Sequence, residues 1–397
     1  MLDYPVTNNQ TAESFTSQIL HSLVYFEEFS FAKNKFKAVT GQEFELADAL
    51  VALDDVLIIV QVKEHSMSDA GDESAERKWF DKKVIRAATK QIRDSLNYLE
   101  SQPGIEVNNE LGRPFIFTPG KFREIIKLVI FHGASTLPSD CRYKKFHKSS
   151  SGGFIHLVDV NDYLNAARVF RVPEDLIRYF RYREAMLTSY PQECASLPEA
   201  SMVGGYIGEG DDAPPSFESF ENLHKLLPDE DTWNISAYLR TLRDHTSHPD
   251  YNGDYYAILT EFVRLPRSMW REFKKRLVLC IENATHDEFA QPYRIAYPDR
   301  NIGFMLFSPD SSLTNSAEWK VAGLNGLMNF TYLQKFDQKL QKCIGVQVAK
   351  DGEFFDIQWC MIDSVWEDDP DLRARLDADS PFRPVSEKSQ FSYFLQN

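Results

Sequence analysis

The 397-residue sequence predicts an α/β domain, a central mixed sheet flanked by helices, followed by a second domain of α+β character. Three observations lead there. Val56 to Val62 is a short apolar run rich in β-branched residues, as expected of a strand buried on both faces. Residues 77–100 place Trp79, Val84, Ala88, Ile92, Ser95 and Leu99 near one face of a helix, with basic residues on the others. Past residue 217 the pattern changes, from helix-like segments over 218–284 to short strand-like runs over 292–365.

Taken in order, a helix is expected from about Thr11 to Phe29. Residues 43–65 then read as a strand, a turn at Asp54-Asp55 and a second strand. Residues 66–76, small, polar and acidic, read as a loop before the basic helix. Strands are expected at Ile125–His132 and Phe154–Val160, joined by a basic, flexible loop, CRYKKFHKSSSGG. One or two helices follow over 161–190, where Pro173 suits a first helical turn. Residues 196–217, with Gly, Asp and paired Pro, read as a linker or long surface loop. The domains are accordingly 1–195 and 218–397.

Counting outward from the Asp54-Asp55 turn pairs Leu53 with Val56 and sets Asp48 opposite Gln61. Lys63 shares their face, because side chains repeat every second residue along a strand. A carboxylate, an amide and an ammonium thus meet in one patch, and burying such a trio costs free energy unless the groups have partners. Glu43 and Glu45 fall on the other parity, where solvation is expected. His65 lies just beyond, with no second histidine nearby in sequence.

Asp48 followed by Gln61-Val62-Lys63 resembles the PD-(D/E)XK nuclease superfamily, in the Asp…Gln-x-Lys form of its Mrr-type restriction endonuclease branch. The likeness covers about the first quarter of the chain well and the next fifth loosely. It implies a restriction endonuclease-like N-terminal domain and a hydrolase that cuts nucleic-acid phosphodiesters, DNA first among them, with Mg²⁺ or Mn²⁺ as cofactor. Asp48 is then the main metal ligand, assisted by the Gln61 amide oxygen and the Val62 carbonyl. Lys63 orients the attacking water and stabilises developing charge. Glu13 matches the glutamate that the family often adds from its first helix, although a glutamate at a helix start also suits the macrodipole. Lys90 and Gln91 match side chains that the following helix turns toward the phosphate, and a plain helix surface explains them equally. The alternative is a catalytically inactive nuclease fold that binds nucleic acid or protein, for which the missing second carboxylate speaks. A plain α/β domain with coincidental spacing is the third reading.

The net charge of −15 is unusual for a DNA-binding chain, but it is unevenly spread. Residues 351–380 hold ten acids and two arginines, whereas residues 121–148 hold seven bases and two acids. Phosphate binding answers to local potential. Arg142, Lys144, Lys145 and Lys148, interleaved with Tyr143 and Phe146, form a candidate nucleic-acid contact, and a solvated loop is the plainer meaning of the same run. Five scattered cysteines without Cys-x-x-Cys spacing point to a reducing cytoplasm. No stretch has the length and apolarity of a membrane span. The family likeness also carries an association with bacterial restriction and antiviral defence, and with homo-oligomers or a defence-system partner protein.

Overall fold

The computed structural model describes residues 26–32, 34–38, 41–65, 71–208, 213–226, 229–246, 254–286, 290–309 and 319–382. The chain divides into two compact units between residues 227 and 228.

At the centre of the first unit runs the predicted apolar strand. Ten strands occur in its described residues: β1 (Ser30–Phe31), β2 (Lys35–Lys37), β3 (Glu43–Glu45), β4 (Ala49–Leu53), β5 (Val56–Glu64), β6 (Ile105–Asn108), β7 (Pro114–Phe117), β8 (Glu124–His132), β9 (Phe146–Ser149) and β10 (Gly153–Asp159). Six of them form one mixed sheet in the order β1-β4-β5-β8-β10-β9. β5 pairs antiparallel with β4 and parallel with β8, and Val56 to Val60 are at most 2% exposed. The β4–β5 turn falls on Asp54-Asp55, with Asp54 at φ 56°, a left-handed conformation that Asp tolerates. The pairs β2–β3 and β6–β7 stand as separate two-stranded sheets.

The strand expected to run unbroken from residue 43 is interrupted. Asn34 Oδ1 accepts hydrogen bonds from the backbone N–H groups of Leu46 and Ala47, which diverts them from the ladder. Glu43 and Glu45 therefore pair with Lys37 and Lys35 in β2–β3, where both are exposed as expected.

A long helix, α1, covers one face of the large sheet. Its segments are Glu73–Trp79, Phe80–Ala87 and Ala88–Ser101, the middle one wound as a π-helix. It starts four residues before the expected helix, because the Asp72 side chain caps it by accepting from the Ala75 N–H. Phe80, Val84, Ala88, Ile92 and Leu99 pack with Leu50, Ala52, Leu57, Ile59, Val129 and Phe131. The other face is covered by α2 (Val160–Val169) and α3 (Pro173–Ser189), with Pro173 in the first turn of α3. His156 of β10 meets the Phe180 ring of α3 there, with centroids 5.0 Å apart.

Residues 196–217 differ from the expected linker. Glu199–Gly208 form helix α4, buried along nearly its whole length within the first unit. Its glycines serve close approach: a Cβ on Gly204 would lie 2.1 Å from the Ser219 carbonyl oxygen, and one on Gly205 would lie 2.6 Å from Pro215. The expected N-terminal helix lies mostly outside the described residues, and its last four positions are not α-helical. Phe26 is extended and Glu27–Phe29 form a single 3-10 turn, while residues 11–25 lie outside the described part.

The second unit bears out all four strand-like runs, as β11 (Tyr293–Tyr297), β12 (Ile302–Phe307), β13 (Lys342–Asp351) and β14 (Phe354–Asp363), sheet order β11-β12-β13-β14. β12 and β13 are parallel, joined across helix α5 (Trp319–Asp337), which the sequence reading did not anticipate. Thr331 of α5 lies against Cys360 on one sheet face, and Phe273 of the helix Arg267–His286 stacks on Trp359 on the other. The acidic stretch 351–380 is folded structure, comprising β14 and a helix, Pro370–Ala378, capped by Asp369. Among the described residues, no helix is long and apolar enough to cross a membrane.

Candidate active site

The ladder that pairs Leu53 with Val56 runs to Ala49 opposite Val60, so Asp48 falls opposite Gln61. Gln61 in turn neighbours Val129, and Lys63 neighbours Phe131, on the face that α1 covers. Ser95 of α1 donates to the Leu46 carbonyl, which fixes the helix two residues from Asp48.

The three predicted side chains converge. Asp48 Oδ2 accepts from the Val62 N–H at 2.6 Å and from Lys63 Nζ at 3.0 Å. Lys63 Nζ also donates to Gln61 Oε1 at 3.3 Å and to the Val62 carbonyl at 2.8 Å. The ammonium thus spends its three N–H donors on three oxygens. Gln61 is 1% exposed, while the Asp48 and Lys63 side chains keep 18% and 14% of their surface. The patch is walled by apolar residues yet open at the strand end.

These oxygens are the set that the sequence assigns to a metal. They suit a hard cation, since each is a carboxylate, amide or carbonyl oxygen and they already enclose one positive charge. Asp48 Oδ1 accepts no hydrogen bond among the described residues, which leaves a carboxylate oxygen for an ion. One carboxylate with two neutral oxygens matches the way Mg²⁺ is held when water and substrate phosphate complete its shell. Among the described residues no group of three His, Cys, Asp or Glu side chains assembles a metal site. Glu13 lies outside the described residues.

Lys90 and Gln91 are both exposed on α1. The basic loop is reorganised. Residues Phe146–Ser149 form β9, paired antiparallel with β10, where cross-strand bonds replace the expected flexibility. Lys144 and Lys148 are exposed, and Tyr143 is 50% exposed. Arg142 donates to the Ala134 carbonyl at 2.7 Å, so it braces the chain. Lys145 is the correction among the four: it is 6% exposed, with Nζ 3.9 Å from Glu199. Burial lowers its pKa, an effect that Glu199 opposes.

Lys145 belongs to a buried network that no local sequence signal announced. Arg183 donates to both Glu199 carboxylate oxygens, to the Lys145 and Leu157 carbonyls and to His156 Nδ1. Tyr179 donates to Glu199 as well. All five guanidinium N–H groups are used, so His156 accepts through Nδ1 and is neutral. Burial, then the nearby Arg183, holds its pKa well below the ordinary imidazole value. Through the Arg183 and Glu199 bonds this network ties β10, α3, α4 and the start of β9 together.

No family model matches the chain, and neither the curated proteins nor the solved structures compared with it include a match.

Proposed function

We propose that the first unit is a metal-dependent nuclease of PD-(D/E)XK type, hydrolysing phosphodiester bonds of DNA. The observation that carries this reading is the meeting of Asp48 Oδ2, Gln61 Oε1 and the Val62 carbonyl around Lys63 at the end of β5. The superfamily likeness implies an order of helix, three strands, helix and strand; its first helix lies outside the described residues, and within the large sheet β1, β4 and β5 precede α1 and β8 follows, which supports the rest. Asp48, Gln61 and the Val62 carbonyl would hold Mg²⁺ or Mn²⁺, which would supply charge stabilisation at the phosphoryl oxygens. Lys63 orients the attacking water and faces the developing negative charge. Lys144, Lys148 and Tyr143 offer the backbone and bases a basic, aromatic surface. The second unit, in this reading, selects a substrate or partner.

Purified protein incubated with supercoiled, linear and single-stranded DNA, with and without Mg²⁺ or Mn²⁺, tests the proposal. Metal-dependent cleavage that is lost in Asp48→Ala and in Lys63→Ala is expected. If wild type and both variants leave every substrate intact, the site is not a nuclease. A second reading, a nuclease-fold binding module, draws on the single carboxylate among the described site residues. Metal-independent DNA binding without cleavage would favour it.

A further inference from the structure

We propose that His65, oriented by Glu76, is the general acid of this site and protonates the oxygen that leaves phosphorus; the proposal rests on the nuclease reading above. The His65 N–H donates to the His132 carbonyl at 2.9 Å, so the β5–β8 ladder reaches one residue past the strand. Alternation then sets the His65 side chain on the face of Gln61 and Lys63, about 7 Å beyond Lys63 along the strand. Two contacts with α1, the helix over that face, agree. The imidazole meets the Trp79 ring edge-on, with centroids 5.0 Å apart, and its Nδ1 lies 3.4 Å from Glu76 Oε1.

Glu76 is fully buried. Its Oε1 accepts from the Gly71 N–H at a long 3.4 Å, and neither its Oε2 nor His65 Nδ1 has a hydrogen-bond partner. A carboxylate so placed costs free energy that packing alone does not offset. It lies 3.4 Å from Nδ1 without a hydrogen bond, so it orients the ring by charge and packing, and Nε2 is the nitrogen left to work. The His65 side chain keeps 13% of its surface, at the open end of the patch. In the nuclease reading Lys63 attends the attacking water, and Asp48 and Gln61 offer the leaving oxygen no proton. His65 fills that vacancy in the chemistry. In the step, a water oxygen bonds to phosphorus while the ester P–O bond breaks. The Nε2 proton goes to the departing oxygen, the water releases a proton to solvent, and the imidazole takes one back.

Cleavage rates of the full-length protein on two kinds of DNA test this. One duplex carries natural linkages, and the other has bridging sulfur in place of the 3′ or 5′ ester oxygen, whose thiolate leaves without protonation. His65→Ala is expected to slow cleavage of the oxygen linkage about 100-fold or more and to cut the sulfur linkage at the wild-type rate. Glu76→Gln should give the same pattern with a smaller loss. His65→Gln, closer in size, repeats the comparison should the alanine variant misfold. Equal slowing on both linkages, or no slowing on either, overturns the role of His65 while wild-type activity leaves the nuclease reading standing. A wild type inert on both linkages removes that reading, and the general acid with it.

Discussion

Lys63 holds the site together and also competes for it. Its ammonium sits within 3.3 Å of Asp48 Oδ2, Gln61 Oε1 and the Val62 carbonyl, three of the oxygens that a divalent ion would use. Removing it frees those oxygens from a resident positive charge. Lys63→Ala should therefore abolish cleavage yet bind Mn²⁺ several-fold more tightly than wild type, as read by isothermal titration calorimetry. Weaker binding in the variant would show that the ammonium organises the oxygens more than it blocks them. This much was legible from spacing, because a two-residue turn fixes the register of Asp48 against Gln61. Lys145 was not: four basic residues in one run look alike, and only long-range partners such as Glu199 decide which is buried.

Among the elements, α2 carries a charge that the fold tolerates poorly. Burial raises the Asp162 carboxyl to a pKa of about 6, with Glu199 and Asp159 adding repulsion. The folded form thus binds a proton that the unfolded chain has already released above pH 4. Stability from this group is full below the unfolded pKa and is lost as the pH rises through about 6. Asp162→Asn should match wild type near pH 4 and exceed it above pH 7 by on the order of 2 kcal/mol, given 1.4 kcal/mol per pKa unit and some solvent access. Urea unfolding at both pH values checks the sign. The α4 helix shows why elements are harder to read than residues. Gly204, Gly205 and Gly208 look like chain freedom in sequence, while in the fold they are the absence of side chains where Ser219, Pro215 and Asn222 press in. The same letter serves both purposes, and only the neighbour tells them apart. Helix α1 was visible because its burial repeats in its own sequence.

For the whole molecule, charge sets a measurable expectation. The chain carries −15 overall, so the DNA binding proposed above would have to draw on local basic surface. Replacing Lys144 and Lys148 with Ala together should weaken binding and flatten the slope of log K against log salt by about 2. Lys145→Ala should leave the slope alone and lower the unfolding midpoint, since its ammonium sits inside the protein. Fluorescence anisotropy over a salt series separates the two.

The two sides of β5 also set an order of events. Its antiparallel partner β4 is two residues away, whereas its parallel partner β8 begins only after a crossover of roughly 60 residues. A hairpin closes in microseconds, and the distant strand must wait for the slower search. Asp48, Gln61 and Lys63 all lie on that hairpin, so they come into register while still bathed in water. The low-dielectric wall of α1 and β8 arrives afterwards around a trio already neighbours, and desolvation falls on a formed ion pair rather than on separate charges.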